Sequence, residues 1–194
     1  WALPGYFVRE DEDLDAAAKR VLYEVTGLKE VYLEQVRSFG TPGRHDFGRV
    51  ITVAYYSLIK IADFSPRAAG IAQDITWHPV EEIEALAFDH EQILQTALEK
   101  LKRNVRIRPV GFELLPPAFT LTELQHLYEA IWETELEKRN FRKKILSMGL
   151  LRDLKRVQEG VPHRPAKLYC FDEARYRELE EEGFSFELKE GRKK

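Results

Sequence analysis

Glu12, Arg20 and Glu24 are the residues near the start of the chain whose types and spacing could support metal chemistry. A helix over Leu14 to Thr26 places positions 21, 24 and 25 on one face, because residues three and four apart are neighbours there. Three carboxylates on that face would gather negative charge around a magnesium ion, which takes near-octahedral oxygen ligands and usually keeps several waters. Only Glu24 supplies one; Val21 and Val25 flank it and offer no lone pairs. One exposed carboxylate is a poor magnesium site. Hydrolysis through this helix is therefore not expected, and no catalytic residue, metal ligand or cofactor is assigned. The two valines read equally well as core packing or as the lining of an apolar pocket.

A second group of residues carries a different chemistry. Lys138-Arg139-Asn140-Phe141-Arg142-Lys143-Lys144 puts five cations and one amide within two helical turns. Phe141, Ile145 and Leu146 are expected to face inward, which leaves Arg139, Asn140, Arg142 and Lys143 around the other face. Cations neutralise phosphates and release counterions, while Arg and Asn can also read guanine and adenine edges in the major groove. A run of charge is ordinarily a solvated face. Here no acid interrupts the run, and Arg164 and Lys167 follow on a second basic element placed to touch neighbouring backbone. Five scattered histidines form no metal-binding spacing, and there is no glycine-rich phosphate loop and no G-x-S-x-G elbow.

The elements that must position these groups can be read from periodicity and turn chemistry. Trp1 to Val8 reads as the end of a strand and its turn, with Pro4-Gly5 as the turn signal. Leu14, Ala17, Ala18, Val21, Leu22 and Val25 set a helical period that Gly27 closes. Val31 to Phe39 and Arg49 to Ile61 read as strands on either side of a polar loop, and Ile75 to Val80 as a short strand. Asp89 is expected to cap a helix from His90 to Asn104 with Ile93, Leu94, Ala97, Leu98 and Leu101 on its buried face. After Pro109 to Pro117, which breaks the pattern, come helices at Thr120 to Trp132 and Lys138 to Met148. A strand starts at Gly149-Leu150-Leu151, and another returns at Ala166 to Phe171. Helix, turn, helix, hairpin is the order of a winged helix. The expected division is 1–108, a linker at 109–118, and 119–194.

Charge is unevenly spread. Residues 1–108 carry 14 basic against 17 acidic side chains, residues 135–169 carry 10 against 4, and the remainder from Cys170 carries 6 against 8, within a total of -3. A local basic block inside a mildly acidic chain points to nucleic acid more usefully than the total does. A single cysteine cannot form an internal disulfide, no apolar run is long enough to cross a bilayer, and no signal segment opens the chain. A cytoplasmic location is expected. The start at Trp1, inside an expected strand, suggests that first strands of the domain precede this sequence.

Tyr6-x5-Glu12-x7-Arg20-Val21-Leu22-Tyr23-Glu24-Val25-Thr26-Gly27-Leu28 resembles the Nudix box, G-x5-E-x7-R-E-U-x-E-E-x-G-U with U apolar. Tyr6 stands where the box has glycine, and Val21 and Val25 where it has metal-binding glutamates. Phe119-Thr120-Leu121-Thr122-Glu123-Leu124-Gln125, Leu136 to Lys144 and His163-Arg164-Pro165-Ala166-Lys167-Leu168-Tyr169 complete a similarity to the Nudix-related transcriptional regulators. Gly48 to Tyr56 and Leu86-Ala87-Phe88-Asp89-His90 extend it. The resemblance implies an α+β chain: a Nudix-like α/β/α sandwich followed by a winged helix-turn-helix domain. It implies a homodimeric repressor or activator on a palindromic DNA operator, with the former substrate pocket sensing a metabolite. That effector is ADP-ribose or a sugar such as L-arabinose, and the altered box looks closer to the sugar-responsive branch. Arg20, Glu24, Arg37, Phe39, Arg49, Tyr55 and His90 are the implied effector contacts. Thr120, Thr122, Lys138, Arg139, Asn140, Arg142, Lys143, Arg164 and Lys167 are the implied DNA contacts. A Nudix hydrolase of ADP-ribose or a related nucleoside diphosphate derivative is the enzymatic alternative, and a module binding an acidic protein is another.

Overall fold

Asp13 and Gly27 bracket the first helix. The Asp13 carboxylate accepts the Ala16 N–H at 2.8 Å, and Gly27 closes the other end at φ 78 with its N–H on the Tyr23 carbonyl, a left-handed position that glycine adopts without steric cost. The result is α1, Leu14–Thr26, with Ala17, Val25 and Thr26 buried. The computed structural model describes residues 1–29, 31–46, 48–60, 74–162 and 164–188.

β1 (Tyr32–Phe39) and β2 (Thr52–Leu58) pair antiparallel, with a register shift between Gln35 and Ser38. Val36, Phe39 and Ala54 from this pair meet Ile93 of α2 (His90–Ile107) in a small core, against which Leu3, Tyr56 and Ala97 pack. Asp89 does stand immediately before α2, and its carbonyl accepts the Ile93 N–H. Three readings change here. Trp1 to Val8 and Ile75 to Val80 are not strands; β-branched and aromatic residues make a strand only where a ladder partner takes up their backbone groups. Trp1 and Leu3 are tied instead by single bonds, Ala87 N–H to the Trp1 carbonyl and Leu3 N–H to His90 Nδ1. Val80–Glu82 is a 3-10 turn. The strand expected over Arg49 to Ile61 is confined to Thr52–Leu58, and Ile61 lies outside the described residues.

The described residues form two compact units, Trp1–Lys100 and Leu101–Lys194. The segment expected as a linker, 109–118, lies inside the second unit: Pro109–Leu114 is a 3-10 helix, and Val110, Phe112 and Leu115 are buried. α3 (Leu121–Trp132) begins at a reciprocal capping box. Thr120 accepts the Glu123 N–H, and the Glu123 carboxylate accepts the Thr120 N–H. α4 (Lys138–Ser147) follows a turn that Glu129 holds, its carboxylate accepting from Gln125 Nε2 and from the Leu136 N–H, both at 2.9 Å. β3 (Leu151–Val157) and β4 (Lys167–Phe171) form an antiparallel hairpin, joined by a bridge from Phe119 to Tyr169. α5 (Glu173–Glu181) buries no residue.

Phe119, Leu124, Tyr128, Phe141, Ile145 and Leu150 make the core of the second unit. Tyr128 packs edge-on to Trp132, and Phe112 stacks on Phe171 at 4.4 Å. The inward face of α4 runs Phe141, Ile145, Met148, whereas Leu146 is 44 % exposed. Steps of four and three keep to one stripe, and a step of one turns about 100° away. Among the described residues no helix is long and apolar enough to cross a membrane.

Candidate effector site and nucleic-acid interface

In the first unit, the helix of the altered box presents a closed electrostatic network. Arg20 Nε and Nη2 donate to the two oxygens of Glu12, Nη1 donates to Glu24 at 2.9 Å, and Nη2 also reaches the Phe7 carbonyl. Arg9 donates to the other Glu24 oxygen at 3.0 Å. Two cations therefore face two carboxylates, and the group is formally neutral. Hydrogen bonds from Arg20 hold Glu12 down at about pH 2, and Glu12 in turn raises Arg20. Both oxygens of Glu24 accept from guanidinium groups, so a dication would meet a carboxylate already paired in a group without net negative charge. Among the described residues no group of three or more His, Cys, Asp or Glu side chains is placed to hold a metal.

Val25 resolves the two readings of the valines by satisfying both. It is 8 % exposed, and it also lines a cleft of about 920 Å³ with Leu3, Leu22, Leu28 and Trp77. Val21 is half-buried, and neither it nor Glu24 lines that cleft.

The remaining effector candidates separate within this unit. Phe39 is a core residue with the Arg37 guanidinium over its ring at 4.6 Å, so that ring face is already covered. Arg49 is exposed and donates to the Gly40 carbonyl. Tyr55 donates to Asp15 at 2.6 Å beside a recess of about 210 Å³ that Lys19, Val31 and Leu33 also line. Burial, with Asp15 adding to it, pushes the Tyr55 phenol up to about 12. His90 is half-buried; its Nδ1 accepts the Leu3 N–H at 2.9 Å, and burial lowers its pKa. Periodicity missed the next pair entirely: Arg44 is bidentate to Asp89 at 2.6 and 2.8 Å, with its third nitrogen on Thr52. Next to it, His45 stacks on Phe88, which sits at φ 57. Among the described residues Arg9, on Glu24, and Asp15, on Tyr55, bring unannounced side chains to expected residues, and neither has a helical spacing that would have revealed it.

In the second unit, α4 carries Lys138, Arg139, Asn140, Lys143 and Lys144 exposed, with Phe141 and Ile145 buried beneath them. Glu137 caps the helix by accepting the Arg139 and Asn140 N–H groups, bonds that hold its carboxyl below the usual range. Two expected contacts make bonds within the domain. Thr120 is 2 % exposed and fully used by its capping box. Arg142 is half-buried, donates to Thr122 Oγ1 at 2.8 Å, and has its Nε enclosed without a partner. It braces α4 against the start of α3, and Thr122 is its acceptor. On the hairpin, Arg164 is exposed and Lys167 stands 3.4 Å from Asp153; His163 lies outside the described residues.

Comparison with known proteins agrees with both units. A NUDIX domain model matches residues 1–100, and a model described as the NrtR DNA-binding winged helix domain matches 111–171. An ADPR responsive transcriptional repressor NtrR of Acinetobacter baylyi is 38 % identical over 175 residues, 88 % of this chain and 69 % of that protein. The crystal structure of Shewanella oneidensis NrtR complexed with a 27mer DNA is similar at a TM-score of 0.75 and 30 % identity, over 97 % of this chain and 85 % of that one. An ADP-ribose pyrophosphatase of Methanocaldococcus jannaschii is 28 % identical over 95 residues, 49 % of this chain and 55 % of that protein. These descriptions name ADP-ribose or DNA. The preference for a sugar-responsive branch finds no support among them.

Proposed function

The chain belongs to the Nudix-related transcriptional regulators, with an NrtR-type DNA-binding winged helix behind a NUDIX domain, and on that premise we propose that it is a repressor whose operator affinity is set by ADP-ribose. The observation that carries this reading is the neutral Arg9–Glu24–Arg20–Glu12 network where a hydrolase would need a magnesium site. A diphosphate is a good bidentate partner for guanidinium groups, so Arg20, with Arg9, could exchange Glu24 for a bound effector without any metal. Tyr55, Arg37, Arg49 and His90 are its further candidate contacts. In this reading 1–108 contains the sensing part, 119–194 contacts DNA, and two copies bind a two-fold symmetric operator in the cytoplasm.

The test has two arms. In the first, labelled duplex from upstream of the gene is titrated at physiological salt against a mixed-sequence duplex; the upstream DNA should bind more tightly. In the second, ADP-ribose is incubated with the protein and magnesium, and no turnover should appear. Equal affinity for both duplexes, together with turnover abolished by Glu24→Gln, would instead establish the hydrolase.

A further inference from the structure

β3 departs from a regular strand at a single place. The pairs Leu151–Phe171, Arg152–Cys170 and Asp153–Tyr169 run in register, and the next pair is Val157–Lys167. Leu154, Lys155 and Arg156 therefore stand against Leu168 alone, and β3 is bulged. Lys155 lies at φ 55, a left-handed conformation that a lysine holds only when its surroundings enforce it. Asp153 does the enforcing. One of its oxygens accepts the Lys155 N–H at 2.7 Å, and the other stands 3.5 Å from the Lys155 ammonium and 3.4 Å from that of Lys167.

The bulge changes what the hairpin shows to solvent. Side chains alternate faces along a regular strand, so either Lys155 or Arg156 would turn toward the packed side of the sheet. Here Lys155, Arg156 and Val157 are all exposed, and the Lys155 side chain is 84 % exposed. Residues 151–171 carry five basic side chains against two acids, Asp153 and Glu159, a net of +3. One of those two acids is thus spent on shaping the strand, at the centre of the cations it would otherwise oppose. Bulges characteristically re-aim side chains in this way.

The structure assigns Lys155, Arg156 and Lys167 as a phosphate-binding strip on the hairpin, with Asp153 as the positioning residue that keeps it in shape. This rests on the DNA-binding reading, in which the hairpin touches DNA backbone, and adds to it the residue that keeps the hairpin's cations presented. Each phosphate neutralised contributes about 0.9 to the slope of log affinity against log salt.

The experiment is a salt titration of the full chain on its upstream duplex and on a mixed-sequence duplex, followed by anisotropy, with thermal melts as the check on folding. Lys155→Gly keeps the backbone comfortable at positive φ and removes one cation. It should lower the salt slope by about one unit on both duplexes without lowering the melting temperature. Asp153→Ala is the sharper variant, because removing a negative charge should by charge alone tighten binding. The positioning role requires the reverse, a loss of about threefold or more, rescued by Asp153→Asn, which keeps the acceptor for the Lys155 N–H. If the wild type binds duplex normally while Lys155→Gly leaves the slope unchanged, or Asp153→Ala binds more tightly, the strip is wrong and the DNA-binding reading stands. If the wild type binds no duplex, both fall together.

Discussion

Glu12 is the most strongly displaced carboxyl of the box, and its environment gives a signed prediction. Hydrogen bonds from Arg20, with the Arg9 N–H adding to them, lower it from near 4.5 to about 2 in the folded chain. A carboxyl depressed on folding stabilises the fold above its unfolded pKa and loses that contribution as pH falls through the folded one. Wild type should therefore lose its stability advantage over Glu12→Gln between about pH 4.5 and about pH 2. Urea midpoints across that range measure it, and a difference that stays constant with pH would refute the pairing. Tyr128 offers the opposite case. Its hydroxyl is fully buried, with no hydrogen-bond partner among the described residues, and burial raises its pKa. An unsatisfied buried hydroxyl costs about 1–3 kcal/mol, so Tyr128→Phe should raise the melting temperature. A fall would mean that the hydroxyl is satisfied.

At the scale of elements, the proposed function places recognition on α4 and the capping box on α3. Thr120→Ala removes a cap used in both directions and should cost about 1 kcal/mol of stability, read by chemical denaturation, while leaving base preference unchanged. Asn140→Ala should relax base preference, whereas Lys143→Ala should weaken all duplexes and reduce the salt slope by about one unit; identical behaviour of the two variants would remove the distinction between reading and anchoring. The helices were legible because their signals are local. Asp13, Gly27 and the Thr120–Glu123 box sit a few residues from the groups they satisfy. What was not legible depends on partners far along the chain. Arg9 reaches Glu24 across 15 residues, and Arg44 reaches Asp89 across 45, with no period to announce either. Ile75 to Val80 has the composition of a strand and lacks its ladder. Lys155 occupies a position where glycine would have signalled a bulge, so turn chemistry could not find it. For the site, the exposed cations of the basic helix were readable, but the internal bonds of Thr120 and Arg142 were not.

For the whole molecule, the proposed function pairs effector recognition without a metal in the NUDIX domain with DNA reading and anchoring in the winged helix. Effector and operator are then linked, and the shift in operator affinity is set by the difference in effector affinity between the free and DNA-bound states. Couplings of this kind are typically about 1–3 kcal/mol, or about 5–150-fold. The same linkage makes operator DNA weaken ADP-ribose binding by an equal factor. The most direct measurement is an anisotropy titration of the full chain on its upstream duplex at fixed salt, with and without saturating ADP-ribose and without added magnesium. The account predicts affinity for the upstream duplex lower by a factor within that range, with the ADP-ribose recovered intact. Unchanged affinity at saturating ADP-ribose, or its hydrolysis in the same tube, would contradict it.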